Sequence, residues 1–109
     1  MSSDKKIVLT TAGSREEAQK IARGLVERRL AACVNIVGPI DSVFRWKGKV
    51  EEAQEWLLVV KTTAAALKAV GAAIRELHSY ELPECVEIAI EGGSDKYLAW
   101  IGEEVASSK

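Results

Sequence analysis

The chain has two cysteines, two prolines, one histidine and one phenylalanine among 109 residues, and each scarcity closes off a class of protein. Cys33 and Cys85, far apart in the sequence, cannot build the dense disulfide framework that stabilises small secreted domains. One histidine, with no Cys-x-x-Cys or His-x-x-x-His spacing, leaves no preformed tetrahedral zinc cage. An excess of one charge is missing too. Fifteen basic and 16 acidic residues give a net charge of −1, and the two signs are interspersed. There is no basic stripe to grip phosphates and no acidic tail, so a nucleic-acid partner is not expected. Apolar runs are short. After the polar start Met1–Lys6 comes only Ile7-Val8-Leu9, well below the ~7–15 residues of a signal-peptide core or the ~20 of a membrane span. These features predict a cytoplasmic chain with free thiols and no membrane association.

What remains is ordinary globular material, 48% apolar, sized for one domain over 1–109. Lys6 to Thr11 reads as a first strand ending at Ala12-Gly13. Ser14-Arg15-Glu16-Glu17 is a capping box, in which Ser14 accepts from the Glu17 amide and the Glu17 carboxylate reaches back. Behind it, Ala18, Ile21, Ala22, Leu25 and Val26 form one apolar helical stripe. Ala32 to Ile36 reads as a second strand, followed by a turn at Gly38-Pro39. Ser42 to Trp46 is extended again, Lys47-Gly48-Lys49 turns, and Val50 to Val60 returns, making a long hairpin with a bent first arm. A helix from about Ala64 to His78 carries Leu67, Val70, Ile74 and Leu77 on one side, and Pro83 stops any helix after it. Val86, Ile88 and Ile90 alternate with polar neighbours as a fourth strand. Ser94 caps a last helix through about Val105, with Leu98 and Ile101 inward.

This order, β-α-β-β-α-β plus a tail helix, predicts an α+β ferredoxin-like fold: right-handed crossovers place two helices on one face of a sheet ordered 4-1-3-2. Its other face would ordinarily meet water, and the central third strand would then alternate. Trp56-Leu57-Leu58-Val59-Val60 does not alternate. Both faces must be covered, the second either by the tail helix alone or by the tail helix in part and a neighbouring copy for the rest, the reading the extended arm favours. The aromatic arm Phe44–Trp46 needs the same cover.

Leu30-Ala31-Ala32-Cys33-Val34-Asn35, Trp46-Lys47-Gly48-Lys49-Val50 with Glu55 and Lys61-Thr62-Thr63, His78-Ser79-Tyr80-Glu81-Leu82-Pro83-Glu84 and Tyr97-Leu98-x-Trp100-Ile101 together resemble, in order, the signatures of the CutA, or divalent-cation tolerance, family. The resemblance spans about Ile7 to Ile101. It implies one CutA-like domain assembled as a homotrimer, similar to the PII signalling proteins, and a link to tolerance of copper and other divalent cations. It brings no enzymatic activity and no organic cofactor; a divalent cation, copper or another, would be weakly bound. Phe44 stands where tyrosine is common, Ser79 where proline is common, and Cys85 where an aliphatic residue is usual.

For chemistry, His78 at a helix end reads either as a helix-terminating hydrogen-bonding residue or as a metal contact in an inter-subunit cleft. Cys33 is a second soft donor that otherwise behaves as a small buried hydrophobe. Cys33 lies on one edge strand and Cys85 begins the other, ~14 Å apart, too far to bridge within one chain. Lys61 follows five apolar residues and either snorkels or pairs. From the resemblance and strand geometry, Glu55, Lys61, His78 and Tyr80 are the expected ligand-binding set at a subunit boundary, and Cys33 with His78 the expected metal donors. Glu51 and Glu52 read as a solvated edge. Three functions compete: a trimeric divalent-cation responder, a ligand-free trimeric scaffold that presents its loops to a partner, and an acylphosphatase-like hydrolase. Thr10–Arg15 lacks the glycines that the hydrolase's phosphate loop needs.

Overall fold

The computed structural model describes residues 3–106; Met1-Ser2 and the last three positions of the domain expected over 1–109 lie outside the described residues. Eight elements follow in order: β1 (Lys5–Ala12), α1 (Arg15–Glu27), β2 (Cys33–Trp46), β3 (Lys49–Thr63), a 3-10 turn (Ala64–Ala66), α2 (Leu67–Leu77), β4 (Val86–Ala89) and α3 (Asp95–Glu104). The sheet order β2-β3-β1-β4, with every pair antiparallel, is the expected 4-1-3-2.

The two-residue period of a strand decides which side of the sheet each residue serves. Val8 pairs with Val60 and Thr10 with Leu58, and all four are fully buried or nearly so. Above them α1 lays down Ala18, Ile21, Ala22 and Leu25, and α2 lays down Val70, Ala73 and Ile74. The alternate set, Ile7, Leu9, Leu57 and Val59, points the other way and is only half-buried. Helix α3 covers one end of this second face. Gly102 sits against the Lys5 side chain, Tyr97 lies beside Cys33, and Ile101 is fully buried. Arg29 anchors that packing by donating to the Glu103 and Glu104 carbonyls at 2.8 and 3.0 Å, so this cation caps α3 and not its own helix. Val37, Val86 and Ile88, on the same face, stay 48, 47 and 42% exposed.

Four local expectations change. The second strand does not stop at Gly38-Pro39. The ladder skips between Val37 and Ile40, with the Gly38–Pro39 bond cis, and resumes to Trp46; β2 is an edge strand, where a residue without an N–H is tolerated. The tip at Lys47-Gly48, both at positive φ, is the tight hairpin turn expected there. The second helix begins as a 3-10 turn and ends at Leu77, and β4 ends at Ala89. Val26 is 41% exposed, because the last turn of α1 overhangs the β2 edge and lines a hollow with Val34 and Ile36.

Candidate functional site

The segment 78–85 leaves α2 and folds around the end of β1 where that strand stops. Its first anchor is His78, whose side chain is fully buried. Nε2 contacts the Thr11 carbonyl at 2.5 Å and Nδ1 accepts from the Tyr80 N–H at 3.1 Å. A carbonyl only accepts, so this pattern holds the neutral imidazole with its proton on Nε2. The second anchor is Glu17. Ser14 caps α1 as expected, accepting from the Glu17 N–H at 3.1 Å. The Glu17 carboxylate, however, accepts from the Ser79 N–H at 2.9 Å, tying the helix start to the segment. Burial alone would raise that carboxyl, but the hydrogen bonds from Ser79 and from the Gly13 amide hold it below its ordinary value.

Tyr80 is the third anchor. Its hydroxyl donates to Glu55 Oε2 at 2.8 Å, and its ring lies against His78 with centroids 4.5 Å apart. A Cβ at residue 13 would come within 2.9 Å of the Tyr80 oxygen, which is why a glycine stands there. Glu55 is only 7% exposed although charged. Burial first, then the Glu55 carboxylate and the charge of Glu17, push the Tyr80 phenol up to about 12. Its proton is therefore held in the folded state beyond the ordinary phenol value of 10.0. The linked stability is intact below pH ~10 and falls as the pH rises from there towards ~12. Absorbance titration of the phenols should show one tyrosine ionising near that upper value, and Glu55→Gln should bring it down.

Glu55, His78 and Tyr80 thus come together through Tyr80. Lys61 does not join them. It lies six residues further along β3, about 20 Å away in an extended strand, and its ammonium binds the Asn35 side-chain oxygen. Cys33 is paired opposite Lys61, at the end of the sheet remote from His78, so the expected donors Cys33 and His78 do not meet within one chain. Both His78 nitrogens are also engaged by backbone groups, which leaves no lone pair for an ion. Cys33 and Cys85 are both free thiols. Burial first, with Glu87 and Glu84, raises the Cys85 thiol and Arg75 opposes it.

Between segment 80–86 and the β2–β3 arm runs a groove of about 980 Å³. Glu55 and Tyr80 lie in it with Glu51, Glu81, Glu84, Phe44 and Trp46. Of these, Glu81 and Glu84 carry no sequence signal that marks them as site residues, and Glu51, expected on a solvated edge, lines the groove. The Glu84 carboxyl is raised, by burial first and by the charge of Glu55 second. Among the described residues no three His, Cys, Asp or Glu side chains converge closely enough to hold one ion, and no helix is long and apolar enough to cross a membrane.

A family model described as CutA1 divalent ion tolerance protein matches residues 6–104. The divalent-cation tolerance protein CutA of Thermus thermophilus is 48% identical over 90% of this chain and 95% of its own length. The CutA homolog of Xenopus laevis is also 48% identical, but this chain spans only 58% of it. In structure, CutA from Xylella fastidiosa superposes with a TM-score of 0.93 at 38% identity, covering 95% of this chain and all of that one. The expected cytoplasmic location is overturned by similar proteins: the Archaeoglobus fulgidus structure, 43% identical with a TM-score of 0.90, is described as periplasmic, and the Arabidopsis thaliana protein, 43% identical, as chloroplastic. A short apolar N-terminal run says nothing of compartment in this group.

Proposed function

The chain belongs to the CutA1 divalent ion tolerance family, and from that premise we propose that it is a non-enzymatic homotrimer acting in the response to divalent cations, copper among them. One domain forms each subunit, and a metal ion or small ligand is taken up where subunits meet. The observation that carries the trimer is the second sheet face. Leu9, Leu57 and Val59 at its centre, with Val37, Val86 and Ile88 around them, form an apolar surface that α3 covers at one end only. A contiguous patch of this kind belongs to an interface. Light scattering should return three times the 11.8 kDa of one chain; a monomer would refute the assembly.

A chemical reason supports a metal site between copies. Within one protomer the His78 nitrogens are occupied and no three donor side chains converge among the described residues. Cys33, Lys61 and the Glu55–Tyr80 pair can contribute to one site only if different copies bring them together. A cation that binds the folded protein at 100 times its dissociation constant stabilises it by about 2.7 kcal/mol. Copper should therefore raise the melting temperature, and Cys33→Ala should reduce the rise. If copper, zinc and cobalt all leave the melt unmoved, the second reading stands: a ligand-free scaffold, favoured by Leu82, 71% exposed on segment 80–86.

A further inference from the structure

The hairpin arm is the part of the chain that a lone protomer leaves bare. The molecule is 43 Å long against 26 and 22 Å across. Beyond Trp56, where β1 stops pairing, β3 is hydrogen-bonded to β2 alone. Register assigns the two faces of this arm. Glu51 and Glu55 lie on the same side of β3 as Leu57 and Val59, and Phe44 stands opposite Glu51. The groove that these residues line is therefore a continuation of the open sheet face on which copies are proposed to meet. Val43 and Val50 belong to the arm's other face and are 67 and 64% exposed. The arm thus carries bare apolar side chains on both of its faces, as an element buried between copies does.

Charge divides along the arm as well. Its tip, Arg45–Val50, holds three cations, Arg45, Lys47 and Lys49, and no acid. The groove at its base is lined by Glu51, Glu55, Glu81 and Glu84 and by no cation. Among the described residues no ion pair reaches any of these seven groups. The tip cannot fold back to answer its own groove. The β2–β3 ladder is unbroken from Ile40 and Glu55 to Trp46 and Lys49, and it holds the tip away from the base. A cationic tip flanked by valines and an acidic groove walled by Phe44 and Trp46 are complementary surfaces that only different copies can join. We propose that the groove receives the arm tip of a second copy of this chain. The partner's Arg45 and the partner's Lys47 lie on Glu51 and Glu84, and the partner's Val50 packs against Phe44. The contact joins two different surfaces, so a three-fold rotation closes it into a ring. This rests on the homotrimer reading and names which part of each copy fills the next.

Charge reversal tests it on the full-length protein, with light scattering followed through a dilution series. Reversing the tip by Arg45→Glu with Lys47→Glu should raise the protomer concentration at half-dissociation roughly tenfold or more, because like charges then face each other. Reversing the groove by Glu51→Lys with Glu84→Lys should do the same. All four residues are exposed, so the protomer fold is untouched. Combining the four changes in one chain should recover most of the loss, which no purely local damage would do. Lys68→Glu, exposed on α2, makes a charge change of the same sign as the tip variant away from the arm and should move nothing. If the wild type assembles but neither reversal shifts its dissociation, or if the combined variant shows no recovery, the tip does not dock in the groove and the trimer stands without it. A wild type that is monomeric throughout overturns both.

Discussion

Val59→Asp is expected to yield a folded chain that no longer assembles, with light scattering falling to the 11.8 kDa of one protomer. Val59 sits on β3, flanked by Leu9 on β1 and Asn35 on β2, near the centre of the face that α3 leaves open. In a lone protomer it is half-buried, and an aspartate there can turn its carboxylate to water. In the assembly the same carboxylate would be sealed against apolar neighbours, at an effective cost of several kcal/mol per unpaired charge. In the proposed assembly each subunit bears that cost. The neighbouring position supplies the control. Val60 is fully buried against the helices, so Val60→Asp should abolish the native fold itself. If Val59→Asp keeps the assembled mass, the open face is not where the copies meet.

Those two adjacent valines also mark what the sequence could and could not reveal. The run Trp56–Val60 violates alternation, and that violation alone announces a two-sided strand; in the fold Leu58 and Val60 serve the helices while Leu57 and Val59 serve the other face. The α1 stripe was legible in the same way, because Ala18, Ile21, Ala22 and Leu25 repeat at helical spacing and all are buried. A Gly-Pro pair reads as a turn and so ends the expected second strand, whereas an edge strand can absorb it as a register skip. The site was legible only in part. Glu55 and Tyr80 are neighbours within one chain, whereas strand extension carries Lys61 to the far end of the sheet, so only a second copy can bring it to them. Glu81 and Glu84 leave no such signal because segment 80–86 has no periodicity. Its path is set by His78 and Glu17 bonding to backbone groups, and such pairings leave no spacing signal in the chain.

Leu58→Ala should be the most damaging conservative change at the centre of the core, costing about 2–5 kcal/mol as fully buried leucines do. Leu58 is wholly inaccessible and sits on the central strand between Thr10 of β1 and Ile36 of β2, under the two helices. The fold has little freedom to close the space: the ladder on both sides fixes the β3 backbone, and the helices are held by their own contacts with Val8 and Val60. The transfer loss and the residual cavity therefore add. For a domain of this size the penalty corresponds to a fall in melting temperature of roughly 10–30 °C. Because melting of an assembly depends on protomer concentration, wild type and variant must be compared at one concentration by calorimetry. Leu57→Ala is the informative partner. It removes the same side chain one position away, from a half-buried site on the open face, so its cost should shrink on dilution as the copies separate, while that of Leu58→Ala should not. A concentration-independent loss at both positions would mean that the second face is covered within the protomer, and the argument for assembly would fail with it.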